Sequence, residues 1–395
     1  MPAVSRERWP LILGLSAAPA SIAISEFFLS IAALVHLVRL LRRQTRVRWP
    51  RSLGFWLVLA LLQVLLWILS PEPASGWSEI RHLLLLGVVL LVLSDFDRAY
   101  DVLMAWKGIF VSATLSSLFL IGQFFYRLHL YREEIGAGGD ASFYLRSGGL
   151  LHHWMVYGTV EIVVVSGLIG FWSAYPAQRR RLLPVVAVNV AAVVLSLTRM
   201  AWITCFLLLV INLLWRRSKW ILALPLVPVV LYGIAPEAVR SRVTNAMDLR
   251  YYANAERLQM LRVGWRMTVD HPITGVGPGR VDQLYESYLV AGEPVPAYHG
   301  HLHNNAAQIG AQFGIPVMIV ALVFVVVLIR DLLRARSSPK TPDQQFLSET
   351  AILAFFGFLF AGLFEYTYGH SLGLIMIAFA VCPALLWGSA RKGAR

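Results

Sequence analysis

Lysine is nearly absent from this chain of 395 residues: four lysines stand against 31 arginines. Acids are scarce too, 22 against 35 basic residues, which leaves a formal net charge of +13. Charged residues of every kind make up only 14% of the chain, whereas a soluble globular protein carries about 25%. Together with a hydrophobic share of 57%, that scarcity excludes a disordered chain, a coiled coil and an ordinary cytosolic enzyme. Two cysteines are too few for a disulfide framework or a thiolate zinc site. Cys205 and Cys382 each sit inside an apolar run and read as small buried hydrophobes. A nucleotide loop is missing as well. The stretch Gly275-Val-Gly-Pro-Gly279 follows no strand and is broken by Pro278, so it reads as a turn closing a helix.

What is present is apolar run after apolar run, with arginine at the ends. The basic excess therefore points to cytoplasmic membrane loops rather than to nucleic acid. At about 20 apolar residues per crossing, twelve candidate spans emerge. The stretch 11–41 divides near Ser21, and the others are 53–70, 80–94, 102–128, 153–174, 182–198, 200–215, 220–234, 304–329, 346–365 and 371–387. Residues 1–41 read as retained membrane segments rather than a cleaved leader. The fold class expected is an all-α polytopic bundle. Spans one to nine lie in 1–235, a mostly helical outer loop domain in 236–303 and spans ten to twelve in 304–395. Basic clusters at Arg42–Arg51, Arg179–Arg181, Arg216–Lys219 and Arg330–Lys340 all fall on one side, which places both termini in the cytoplasm. Two outer loops are long: 126–152, with a glycine-rich centre at 136–139, and 236–303, with helical stretches at 237–250 and 255–269.

The second long loop carries seven arginines (240, 242, 250, 257, 262, 266 and 280), seven acids and no lysine. The planar guanidinium fork pairs with phosphate oxygens two at a time, so an all-arginine set on the outer side suits a phosphate or diphosphate headgroup. The bland alternative is solvated helix faces paired with Glu256, Asp270 and Asp282. Arg199 stands apart, wedged between two apolar runs where an ionisable group needs a partner or a ligand. His299, His301 and His303 alternate along the chain, so an extended backbone puts them on one face. Three imidazoles there suit either a metal or a general base. Against the metal, no carboxylate follows at useful spacing. His303 opens the next span, where a helix N-terminus keeps an imidazole neutral. His370, with Tyr366 and Tyr368, lies at the outer end of the last loop and can line the same site. Glu26, Glu161 and Glu365 are acids within or near apolar runs, as an ion-coupled transporter uses.

Three stretches carry a family resemblance. Leu197-Thr-Arg-Met-Ala-Trp202, Arg257 with Trp265-Arg-Met-Thr-Val-Asp-His-Pro-Ile-Thr-Gly-Val-Gly-Pro-Gly279, and His303-Asn304 followed by Gly314 occur in one order. They resemble the O-antigen ligase and polymerase superfamily of membrane glycosyltransferases, best over 196–316. The His-Asn motif is similar to the ligase branch. Val317, three residues after Gly314, stands where that pattern carries Gly, Thr or Tyr. The resemblance implies a bacterial inner-membrane enzyme with its site on the periplasmic face. Its donor is an O-antigen polysaccharide on undecaprenyl diphosphate and its acceptor a sugar hydroxyl of lipid A–core. Neither nucleotide, cofactor nor metal is implied. His303 becomes the base, Arg199 and Arg257 hold the diphosphate, and Arg266, Asn304, His301 and His370 become substrate-binding residues. The alternatives are O-antigen polymerase, pilin oligosaccharyltransferase and, outside enzymes, a transporter for a lipid-linked anion.

Overall fold

The structure, a computed structural model, describes residues 4–132, 144–246, 248, 250–337 and 341–389. It is all-helical, with no strand among the described residues. Fourteen helices longer than a turn or so are labelled here. They are α1 (Trp9–Ala17), α2 (Ile22–Leu41), α3 (Gly54–Ile68), α4 (Leu86–Asp95), α5 (Ala99–Leu130), α6 (Trp154–Ala174) and α7 (Arg179–Leu195). They continue with α8 (Arg199–Trp215), α9 (Leu226–Ile234), α10 (Glu237–Thr244), α11 (Tyr252–Asp270), α12 (Asn305–Arg336), α13 (Pro342–Ala361) and α14 (Ser371–Ser389).

Among the described residues, seven helical segments are long and apolar enough to cross a membrane: Ile22–Leu41, Arg51–Ile68, Pro73–Asp95, Ala99–Leu130, Trp154–Ala174, Asn305–Arg336 and Pro342–Ala361. Arg199–Trp215 and Ser371–Leu386 are shorter apolar helices. The division expected near Ser21 is there, because the Ser21 hydroxyl accepts the Ile24 N–H at 3.3 Å and starts α2 afresh. The helices α1 and α9 have nine residues each, about 13 Å by helical rise, and do not cross on their own. In the outer loop the helices are Glu237–Thr244 and Tyr252–Asp270, the first shorter than 237–250. The glycine-rich centre at 136–139 lies outside the described residues.

The sequence of α6 is apolar all round, and the helix is accordingly buried on nearly every side. It packs against α13, with α8 and α14 beside it. At one end of the bundle Arg8 pairs with Asp97 (2.6 Å) and Asp101, and Arg39 with Asp95 (2.7 Å). The helix α5 runs from that end to the other, where the loops before α6, α8, α12 and α14 gather.

The outer loop is strapped to α12 by an exchange of backbone hydrogen bonds. The helix breaks at Gly314 (φ 78°, ψ −179°), and Pro316 has no N–H to give the Gln312 carbonyl. The Ile315 N–H turns away and donates to the Pro272 carbonyl at 2.8 Å. Both freed carbonyls are taken by the turn at 275–277. The Val276 N–H donates to Ala311 at 2.8 Å and the Gly277 N–H to Gln312 at 3.2 Å. Gly275 (φ 63°) has to be glycine there, since a Cβ would sit 2.3 Å from the Gln312 carbonyl carbon. The glycine stretch that looked like a phosphate loop is thus a turn, as its sequence suggests, and it also repairs a kink.

Candidate active site

Leu302 is fully buried among Met260, Val263, Met267 and Tyr285, and it pins the chain just before α12. Its N–H donates to the Gln308 side chain at 2.8 Å. With Leu302 turned inward, His301 and His303 face the other way together, their rings 4.3 Å apart. The alternation expected from the sequence holds for these two. His299 leaves the group: it stacks on Tyr285 at 5.1 Å and lies 2.8 Å from Asp282.

The carboxylate that sequence spacing failed to supply comes from 62 residues downstream. Glu365 is 1% exposed, and its Oε2 lies 2.9 Å from His303 Nδ1. Its Oε1 accepts the Tyr366 N–H at 3.0 Å and lies 3.4 Å from His301 Nε2. Burial pushes the Glu365 carboxyl up. The His303 hydrogen bond and the imidazoles of His303, His301 and His370 outweigh it and hold the group at about 2, so it stays ionised. An ionised carboxylate against Nδ1 fixes the His303 tautomer with its proton there and leaves Nε2 with a lone pair. His301 accepts the His303 N–H on Nδ1 (3.3 Å), and burial pushes its ring down to about 4, so it stays neutral. His301, His303 and Glu365 lie within 4.8 Å of one another, a spacing a metal ion can bridge. An ion there would displace the bond that sets the His303 tautomer.

Asn304 and Asn305 hold this arrangement. Asn304 caps α12, accepting the Ala307 N–H at 2.9 Å, and donates to the Leu363 carbonyl at 2.9 Å. Asn305 donates from its backbone to Gly362 (2.7 Å) and from its side chain to Thr367 (2.9 Å). Expected as a substrate contact, Asn304 instead has both ends of its amide bonded to protein, tying α12 to the loop that carries Glu365. His370 lies in that loop, 3.4 Å from the Thr159 hydroxyl. Burial lowers its pKa, and it feels the charges of Glu365 and His303.

The arginines form the second half of the site. Arg199, 9% exposed, opens α8 and donates to Asn254 at 2.7 Å. The charges of Arg242 and Arg257 act on it, and those of Glu365, Arg242 and Glu256 act on Arg257. Burial, more than any neighbour, lowers the Arg257 guanidinium. Arg242 is 5% exposed. Its Nε donates to the Leu197 carbonyl at 3.3 Å, and its Nη1 has no hydrogen-bond partner among the described residues. Three guanidiniums thus act on one another, one with an orphaned buried donor, and of the two acids that act on Arg257, Glu365 is already bonded to histidine. Such a cluster is built to receive an anion with several oxygens.

Arg242 was one loop arginine among seven in the sequence, with nothing to single it out. Only its burial marks it. Glu365 was legible as an intramembrane acid but not as the partner of His303. Arg266, expected to join the phosphate site, instead donates to the Tyr288 carbonyl (2.7 Å) and to Glu293 (3.0 Å) and braces the loop. Glu26 is exposed near the start of α2, and Glu161 is buried in α6.

Residues 184–322 match the family model Wzy_C, described as O-Antigen ligase. The match takes in Arg199, Arg242, Arg257, His303, Asn304 and Gly314 and ends before Glu365 and His370. No curated protein matches the chain.

Proposed function

We propose, from the match of residues 184–322 to the O-antigen ligase family model, that this chain moves an O-antigen polysaccharide from undecaprenyl diphosphate to a sugar hydroxyl of lipid A–core. His303 Nε2 takes the proton of the acceptor hydroxyl. The acceptor oxygen bonds to the anomeric carbon, and the bond from that carbon to the diphosphate oxygen breaks on the opposite face, inverting the configuration. The electron pair leaves with the lipid diphosphate, whose growing charge Arg199, Arg242 and Arg257 neutralise. Because the diphosphate is itself the leaving group, the reaction needs no nucleotide, and the family resemblance implies no metal. In this reading both termini lie in the cytoplasm, and the site faces the periplasm from the inner membrane.

One observation carries the reading: a histidine whose tautomer is set by a buried carboxylate stands in the same electrostatic neighbourhood as three arginines lacking enough acids. Reconstituted with both lipids, the chain is expected to form the glycosidic bond. His303→Ala should lose about 10²- to 10⁴-fold in rate, the usual worth of a positioned base. Arg242→Ala should lose about 10- to 100-fold, as for a charge-assisted hydrogen bond. Wild-type rates in both variants, with protein still in the membrane, would sink the proposal. The polymerase reading draws on Val317, which departs from the ligase pattern and is buried against α3 with Leu59 and Ala60. A polymerase would lengthen the lipid-linked chain when no lipid A–core is supplied.

A further inference from the structure

Two apolar grooves run along the helical body, and they share no lining residue. One, about 560 Å³, lies among α6 to α10 and ends against Val239 and Val243, which bracket Arg242 in sequence. The other, about 860 Å³, lies between α3, α12, α13 and α14. Its lining begins at Asn304–Ala307, directly after His303, and follows α12 through Ile315, Ile319 and Leu322, all exposed. No arginine, lysine or acid lines it. Its polar lining residues are His82, Thr268, Asn304, Asn305 and Tyr368. His82 is buried, and its Nδ1 has no hydrogen-bond partner among the described residues.

Over the outer end of this groove lies α11. Leu258, Leu261, Trp265 and Val269 are exposed at spacings of three and four, so they form one apolar stripe. Leu261 and Trp265 also line the groove. A helix outside the candidate spans with a tryptophan-bearing apolar stripe and an exposed arginine, Arg262, on its surface has the make-up of one lying on a lipid headgroup layer. The stripe and the groove are continuous, and together they lead to His303.

We propose that this second groove seats the acyl chains of the acceptor, a sugar-bearing lipid that enters sideways from the bilayer beneath α11. The inference rests on the transfer reading above. A donor carries its diphosphate at the head of its tail, so its tail hangs from the arginines, on the side of the smaller groove. The acceptor needs only to bring a hydroxyl to His303, and this groove opens there without a cation in its wall. His82 Nδ1 bonds to the polar linkage between acyl chain and sugar.

The test uses the full chain in nanodiscs. The probe is lipid A–core glycolipid with a diazirine in one acyl chain, and the control is phosphatidylglycerol with the same group. Photolabelling by the glycolipid should concentrate on Trp265, Ile315, Met318 and Ile319, well above the control, and unlabelled glycolipid should compete it away. Labels centred on Trp202, Phe206 and Leu231 would overturn the proposal, as would equal labelling by the control. In transfer assays Leu322→Trp should raise KM for the acylated acceptor about tenfold, the effect of losing about two buried methylenes, and leave the deacylated core oligosaccharide unaffected. Equal losses with both acceptors would also overturn it. Photolabelling needs no turnover. A chain labelled as expected that forms no glycosidic bond would refute the activity and leave the groove assignment standing.

Discussion

His301 and Glu365 are both held deprotonated at one contact, and both make the site depend on pH in the same sense. The His301 ring has its pKa depressed from 6.5 to about 4 by burial. Its contribution to stability is complete above pH 6.5 and is lost as pH falls toward 4. The Glu365 carboxyl is depressed from 4.5 to about 2, so its contribution is complete above pH 4.5 and is lost as pH falls toward 2. For His301 the fall from 6.5 to about 4 corresponds to roughly 3 kcal/mol. The apparent Tm of the solubilised protein should be flat above pH 7 and should decline from pH 6.5 to 4.5, with His370 adding to the slope. His301→Gln should flatten part of that decline. An unchanged slope in the variant would contradict the assignment.

At the scale of elements, the break in α12 organises the outer face. Gly314 occupies a backbone region open essentially only to glycine, and a Cβ there would lie 2.7 Å from the Ile273 carbonyl carbon. Gly314→Ala should therefore cost about 1–3 kcal/mol and shift the 272–277 turn. Transfer should fall further than thermal stability does, because Leu302 and His303 lie directly before the same helix. A variant with full activity and unchanged apparent Tm would refute this. Sequence alone pointed to Gly314 and to the glycine turn as separate marks, and nothing in it said that each supplies the hydrogen bonds the other lacks. The split at Ser21 and the spans at α5, α6 and α13 were legible, because they depend on local apolar length and capping. The pairing of His303 with Glu365 and the choice of Arg242 from seven arginines were not. Both arise from contacts between segments far apart in the chain, which no periodicity records.

For the whole molecule, the low acid and lysine content now has a spatial meaning. One end of the bundle pairs its arginines with Asp95, Asp97 and Asp101, while the other leaves Arg242 with a donor unmatched. The proposed topology can be checked with single cysteines placed at Ser5 and Glu286 after replacing Cys205 and Cys382. A membrane-impermeant maleimide added to intact spheroplasts should modify position 286 and spare position 5 until the membrane is opened. Labelling of both from outside would break the scheme.

The hydrogen-bonded strap between the 272–277 turn and α12 has a mechanical consequence. The helix that carries Arg257 and the one that presents His303 are locked in register by protein contacts, and Asn254 ties Arg199 to the same body. The gap between the proposed base and anion cradle is therefore gauged by this bracket rather than by the thickness of the surrounding bilayer. Under the proposed transfer, the membrane can thin, thicken or tilt its helices while the two lipids still meet at one fixed spacing.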